Sequence, residues 1–79
     1  MKIIHFCRHK TAGWEGVIYQ DDHGKVFITN GLGLWEDSAE RRAALELVPD
    51  IQPGALCEGL EKFRPDPSLL KLVREALAG

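Results

Sequence analysis

Residues 14–30 read WEGVIYQDDHGKVFITN, and the fold turns on how this stretch is read. Two short runs rich in β-branched and aromatic side chains, residues 14–20 and 25–30, flank Asp21-Asp22-His23-Gly24. Such runs favour strands. Acidic residues followed by a glycine suit a type I turn closed by a left-handed residue. The stretch therefore predicts an antiparallel hairpin. If Asp21 pairs with Lys25, Tyr19 faces Phe27, Val17 faces Thr29, and Ile18 meets Ile28 on the opposite face. Both faces then carry apolar side chains. One face needs helices, and the other needs a further element, a strong twist or a partner.

Before the hairpin, residues 2–9 (KIIHFCRH) read as a third strand, joined to it by residues 10–13. Strand alternation puts Ile3, His5, Cys7 and His9 on one face and Ile4, Phe6 and Arg8 on the other. After it, Gly31-Leu32-Gly33-Leu34 breaks the strand pattern and leads into a helix. Asp37 is the expected N-cap, with Glu40 as its capping-box partner. The helix is expected to run to about Val48, because the residue before Pro49 avoids the helical region. Ala43, Ala44, Leu47 and Val48 would form its buried stripe, and Glu40, Arg41, Arg42 and Glu46 its wet face.

Residues 50–64 are ambiguous. Pro53-Gly54 signals a turn. Leu56, Leu60 and Phe63 have helical spacing. Gly59 opposes a helix at a cost of about 1 kcal/mol relative to alanine, and a short strand through Leu56 and Cys57 is the alternative. The last element is clearer. Asp66 caps, Pro67 takes the first helical position, and Leu69, Leu70, Val73, Ala76 and Leu77 form the apolar face. Together these elements predict one α+β domain spanning residues 1–79. Its core would be a small three-stranded antiparallel sheet followed by two to three helices packed on one face. Elements capped at both ends are those expected of a free-standing small protein.

A chain of 79 residues fits one domain. Its net charge of −2 splits into +1 over residues 1–30 and −3 over residues 31–79 (six basic, nine acidic), which makes no global case for a phosphate-binding surface. Cys7 and Cys57 are too few for a disulfide framework. The N-terminal stretch lacks the apolar core of a signal peptide, and no run reaches membrane-spanning length. These features predict a cytoplasmic protein with reduced thiols and no membrane partner.

Chemistry concentrates on the first strand. His5, Cys7 and His9 can chelate a metal only in pairs, because His5 and His9 stand about 13 Å apart at about 3.3 Å per residue. No C-x-x-C or H-x-x-x-H spacing supports a site, so neither a metal nor another cofactor is expected. A nucleophilic Cys7 would need a base and an orienting group, and no oxyanion-hole signature accompanies it. Gly31-x-Gly33 lacks the remaining residues of a phosphate-binding loop. The expectation is a non-enzymatic protein–protein interaction module, an inhibitor or adaptor. Its site would be Asp21, Asp22, Trp35, Glu36, Asp37 and Glu40. One concrete form is a phage-encoded, anti-CRISPR-type inhibitor whose acids cover a basic nucleic-acid-binding surface. The alternative is a nucleic-acid- or metal-associated regulator using the His5-Cys7-Arg8-His9-Lys10 edge. Its nucleic-acid contacts would be Arg8, His9, Lys10, Trp14 and Lys25. The doubly apolar hairpin leaves a homodimer open.

Overall fold

The computed structural model describes residues 1–63 and 66–78. The hairpin takes the expected register. β2 (Glu15–Gln20) and β3 (Val26–Thr29) pair antiparallel, with Val17 opposite Thr29, Ile18 opposite Ile28 and Tyr19 opposite Phe27. Asp21 builds the turn. Its carboxylate accepts from the amides of His23 and Lys25, both at 2.9 Å, and Gly24 takes the left-handed conformation at φ +84°.

The sheet is larger than the three strands expected. β1 (Lys2–His9), β4 (Leu34–Glu36) and β5 (Leu45–Val48) complete a five-stranded antiparallel sheet in the order β4-β3-β2-β1-β5. β4 replaces the loop expected at Leu34. β5 replaces the second half of the helix expected over residues 37–48, of which only α1 (Ala39–Ala43) forms. The physical reason is the edge of β1. Without β5, the second half of β1, Phe6 to His9, would present unpaired backbone groups on one side. Pairing Phe6 to Val48, Cys7 to Leu47, Arg8 to Glu46 and His9 to Leu45 satisfies them. That gain outweighs extending a one-turn helix, which is marginal by itself. Ser38, not Asp37, caps α1: its hydroxyl accepts from the Arg41 amide at 3.1 Å.

β1 carries an irregularity. Ile3 lies opposite Tyr19 and His5 opposite Ile18, so Ile4 is the extra residue of a bulge. The simple alternation expected for β1 therefore fails at its start. Ile3 packs with Phe6 against one core, and Ile4 packs with Cys7 against the other.

Each sheet face has its own core. α2 (Pro53–Lys62) and α3 (Pro67–Ala78) cover one, where Phe6, Val17 and Tyr19 meet Ile51, Leu56, Leu60, Leu69 and Val73. The helix spacing of Leu56 and Leu60 thus prevails, no strand forms through Cys57, and position 64 lies outside the described residues. Asp66 caps α3 as expected, accepting from the Ser68 and Leu69 amides at 3.1 and 3.2 Å. Ala76, expected on the apolar face, is exposed.

The second core joins Cys7, Ile18, Ile28 and Leu45 with Ile4, Trp14, Val26 and Trp35. β4 and β5 are opposite edges of the sheet, so the chain between them must cross a face. It crosses this second one. Arg41 and Ala44 line a cleft with Ile28, Trp35 and Leu45. The helices are therefore not all on one face, as expected: α2 and α3 take the first, and α1 lies over the second. Among the described residues, no helix is long and apolar enough to cross a membrane.

Candidate functional site

The first-strand residues separate. Cys7 is fully buried in the second core. Burial pushes its thiol up to about 11, against smaller opposing effects of a hydrogen bond with the Gly16 backbone and the charge of Arg42. At neutral pH this is a protonated packing group rather than a thiolate. His5 is exposed. His9 turns into the loop that follows it. Its Nδ1 accepts from the amides of Ala12 at 2.9 Å and Thr11 at 3.3 Å, and its ring lies 5.3 Å from Trp14. Among the described residues, no three His, Cys, Asp or Glu side chains gather as a metal site.

The basic edge is dispersed. The Arg8 guanidinium donates to Glu15 at 2.8 Å, and Lys10 donates to the Ala43 carbonyl at 3.1 Å. Lys25 lies at the other end of β3, 3.5 Å from Glu36, and is not brought to His9 and Lys10. Trp14 stacks on Trp35, with centroids 5.6 Å apart and planes 9° apart. The two tryptophans, expected in separate roles, thus form one unit under the crossover.

Glu15 ties three segments together, because it also accepts from the Gln52 amide at 3.2 Å at the entrance to α2. The Arg8 hydrogen bond, helped by Gln52, holds its carboxyl below the ordinary value of 4.5. A depressed carboxyl contributes stability that is present above its unfolded pKa and is lost as pH falls through its folded one. Replacing Glu15 with glutamine should therefore cost modest stability at pH 7. The gap to wild type should close as the pH is lowered through and below 4.5, read by urea denaturation across that range.

The acidic residues do converge. Asp21 and Asp22 in the β2–β3 turn, Glu36 and Asp37 at the end of β4, and Glu40 in the first turn of α1 all belong to one end of the sheet. Most of them serve the fold. Asp21 holds the turn. Asp37 makes a fork to Arg42, at 2.6 and 3.4 Å. Asp22 pairs with the N-terminal ammonium, which holds its carboxyl below the usual range. Asp22, Glu36 and Glu40 remain exposed.

Two features escaped the sequence. One is the cleft of about 250 Å³ beneath the crossover, where His9, Trp14 and Trp35 meet Arg41, a residue expected only on a wet helix face. The other is an apolar rim at the opposite end of the sheet from the acids. Leu32 and Phe63 are 64% and 65% exposed, and Leu34 is 39% exposed. Leu32 and Phe63 line a groove of about 470 Å³ with Glu58 and Lys62, and Leu34 and Phe63 line a second of about 320 Å³ with Asp66. Phe63, expected at helical spacing with Leu56 and Leu60, stands at the C-cap of α2 between the two grooves. No family model, characterised protein or solved structure matches this chain.

Proposed function

We propose that this chain is a non-enzymatic protein-binding module, an inhibitor or adaptor, that docks through the rim formed by Leu32, Leu34 and Phe63. The observation that carries this reading is the convergence of those three exposed apolar side chains on two adjoining grooves. Exposed apolar surface rimmed by polar groups is the usual mark of a protein contact. Among the described residues, three carboxylates (Glu15, Glu58 and Asp66) line the grooves against one cation, Lys62. The partner surface it suits presents one or two apolar side chains among basic ones.

The acidic end of the sheet supports a second version, in which Asp22, Glu36 and Glu40 cover a basic, phosphate-binding surface. It is the weaker one. The Met1 ammonium and Lys25 already pair with Asp22 and Glu36. A pull-down with the tagged chain from nuclease-treated bacterial lysate separates them. The rim reading predicts a protein that is captured by the wild type and lost with Phe63→Ser. Capture kept by Phe63→Ser but lost when Asp22, Glu36 and Glu40 are made neutral would move docking to the acidic end. Loss of all capture on nuclease treatment would overturn both in favour of nucleic acid.

A further inference from the structure

The cleft beneath the crossover lies on the sheet face opposite α2 and α3, and its chemistry differs from that of the rim. We propose that it binds a small planar anion: one or two fused aromatic or heteroaromatic rings bearing a carboxylate or, directly or through a sugar, a phosphate.

The apolar part of the cleft is rigid. Trp14 and Trp35 lie nearly parallel above Ile28 and Leu45 of the second core. Each indole is seated on a glycine. A Cβ at Gly16 would stand 3.0 Å from the Trp14 ring, and one at Gly33 would stand 2.5 Å from the Trp35 ring. The indoles are thus held before any ligand arrives, which lowers the ordering cost of binding.

The polar part consists of donors. Backbone amides can only donate, so the Nδ1 of His9, which takes those of Thr11 and Ala12, is an acceptor. The hydrogen of the neutral ring is therefore on Nε2, and no described protein group accepts it. Arg41 is the second donor. Its guanidinium makes one long contact, 3.5 Å to the Glu36 carbonyl, and no ion pair among the described residues. The nearby carboxylates of Glu36 and Asp37 are engaged by Lys25 and Arg42, and Glu40 stays exposed on α1. No carboxylate lines the cleft. An aromatic wall, two donors and no carboxylate select an anion with a flat apolar body. About 250 Å³ holds one or two fused rings and is below the range of drug-sized sites, about 300–1,000 Å³.

The chain has only two tryptophans and both line this cleft, so indole emission reports on its occupancy; Trp14 also borders the groove of Leu32 and Phe63. The test is fluorescence titration of the full chain with two anions, benzoate and adenosine monophosphate, and their neutral counterparts, benzamide and adenosine. The proposal predicts saturable quenching by at least one anion below about 1 mM. Its neutral counterpart should bind about tenfold more weakly, and Arg41→Gln should weaken the anion about tenfold. Arg41 is exposed, and circular dichroism will show that the variant is folded. Which anion binds identifies the source as an aryl acid or a nucleotide. No saturable quenching by either anion, or equal binding of anion and neutral counterpart unchanged by Arg41→Gln, would overturn the proposal. Because Trp14 borders both sites, the titration is repeated with Phe63→Ser: unchanged quenching, as the proposal predicts, keeps the anion in the cleft, and quenching lost with Phe63→Ser would place it in the rim groove and overturn the proposal.

Discussion

Replacing Gly59 with alanine will destabilise the protein, although alanine is the better helix former by about 1 kcal/mol. Gly59 lies inside α2, where its backbone meets that of Gly31 between β3 and β4. A Cβ on Gly59 would come within 2.7–2.8 Å of the Gly31 carbonyl carbon, Cα and oxygen. Gly31 cannot easily yield. It sits at φ +91°, and its amide donates to the buried hydroxyl of Thr29 at 3.0 Å. The helix must move off the sheet or the turn must open, and overpacking of this kind costs about 1–3 kcal/mol. We expect a net loss of about 1 kcal/mol, which for a domain of this size lowers Tm by about 6 °C. Gly54, in the first turn of the same helix, is the control. Nothing lies within 4 Å of its added Cβ, so Gly54→Ala should be neutral or stabilise by up to about 1 kcal/mol. Thermal and urea denaturation of both variants checks this. A Gly59→Ala protein as stable as wild type would mean that α2 does not rest on Gly31.

The second large effect concerns β5. Truncating Leu45 to alanine should cost about 2–4 kcal/mol, and truncating Leu47 less than about 0.5 kcal/mol. Leu45 is 7% exposed and packs with Cys7, Ile18 and Ile28, whereas Leu47, two residues on, is 52% exposed at the sheet edge. A continuous helix over residues 37–48 inverts this order, because Leu47 would join Ala43, Ala44 and Val48 on its buried stripe and Leu45 would not. Urea midpoints of the two variants therefore test directly whether residues 45–48 are strand or helix. A larger loss at Leu47 than at Leu45 would contradict the five-stranded sheet.

What could be read in the sequence was local. The hairpin announced its register through Asp21-Asp22-His23-Gly24, because the turn and the pairing are set by neighbouring residues. α3 announced its start through Asp66-Pro67. What could not be read depends on distant partners. Leu45-Glu46-Leu47-Val48 carries no helix-breaking residue before Pro49, and only the unpaired edge of β1 makes it a strand. β4 is three residues long and has no period of its own. The bulge at Ile4 becomes visible only against β2. Gly59 looked like a defect in a helix until Gly31 was placed against it.

The candidate sites divide in the same way. The sequence singled out Trp14, Trp35 and His9, but the crossover from β4 to β5 is what brings them together with Arg41. The acids were legible as a cluster, yet their partners were not, and Asp21 and Asp37 prove to hold the fold. The docking rim is not legible because Leu32 reads as part of a joint and Phe63 as a continuation of the helical spacing of Leu56 and Leu60. Their exposure is a property of how α2 ends against the β3–β4 turn.

Amide hydrogen exchange of the chain, alone and bound to the protein it captures, tests the docking claim most directly. Our account predicts slowed exchange in the complex at residues 31–34 and 58–63, with the crossover at residues 37–44 and the β2–β3 turn unchanged. Protection confined to the turn and to residues 36–40, with residues 31–34 and 58–63 exchanging as in the free chain, would contradict it.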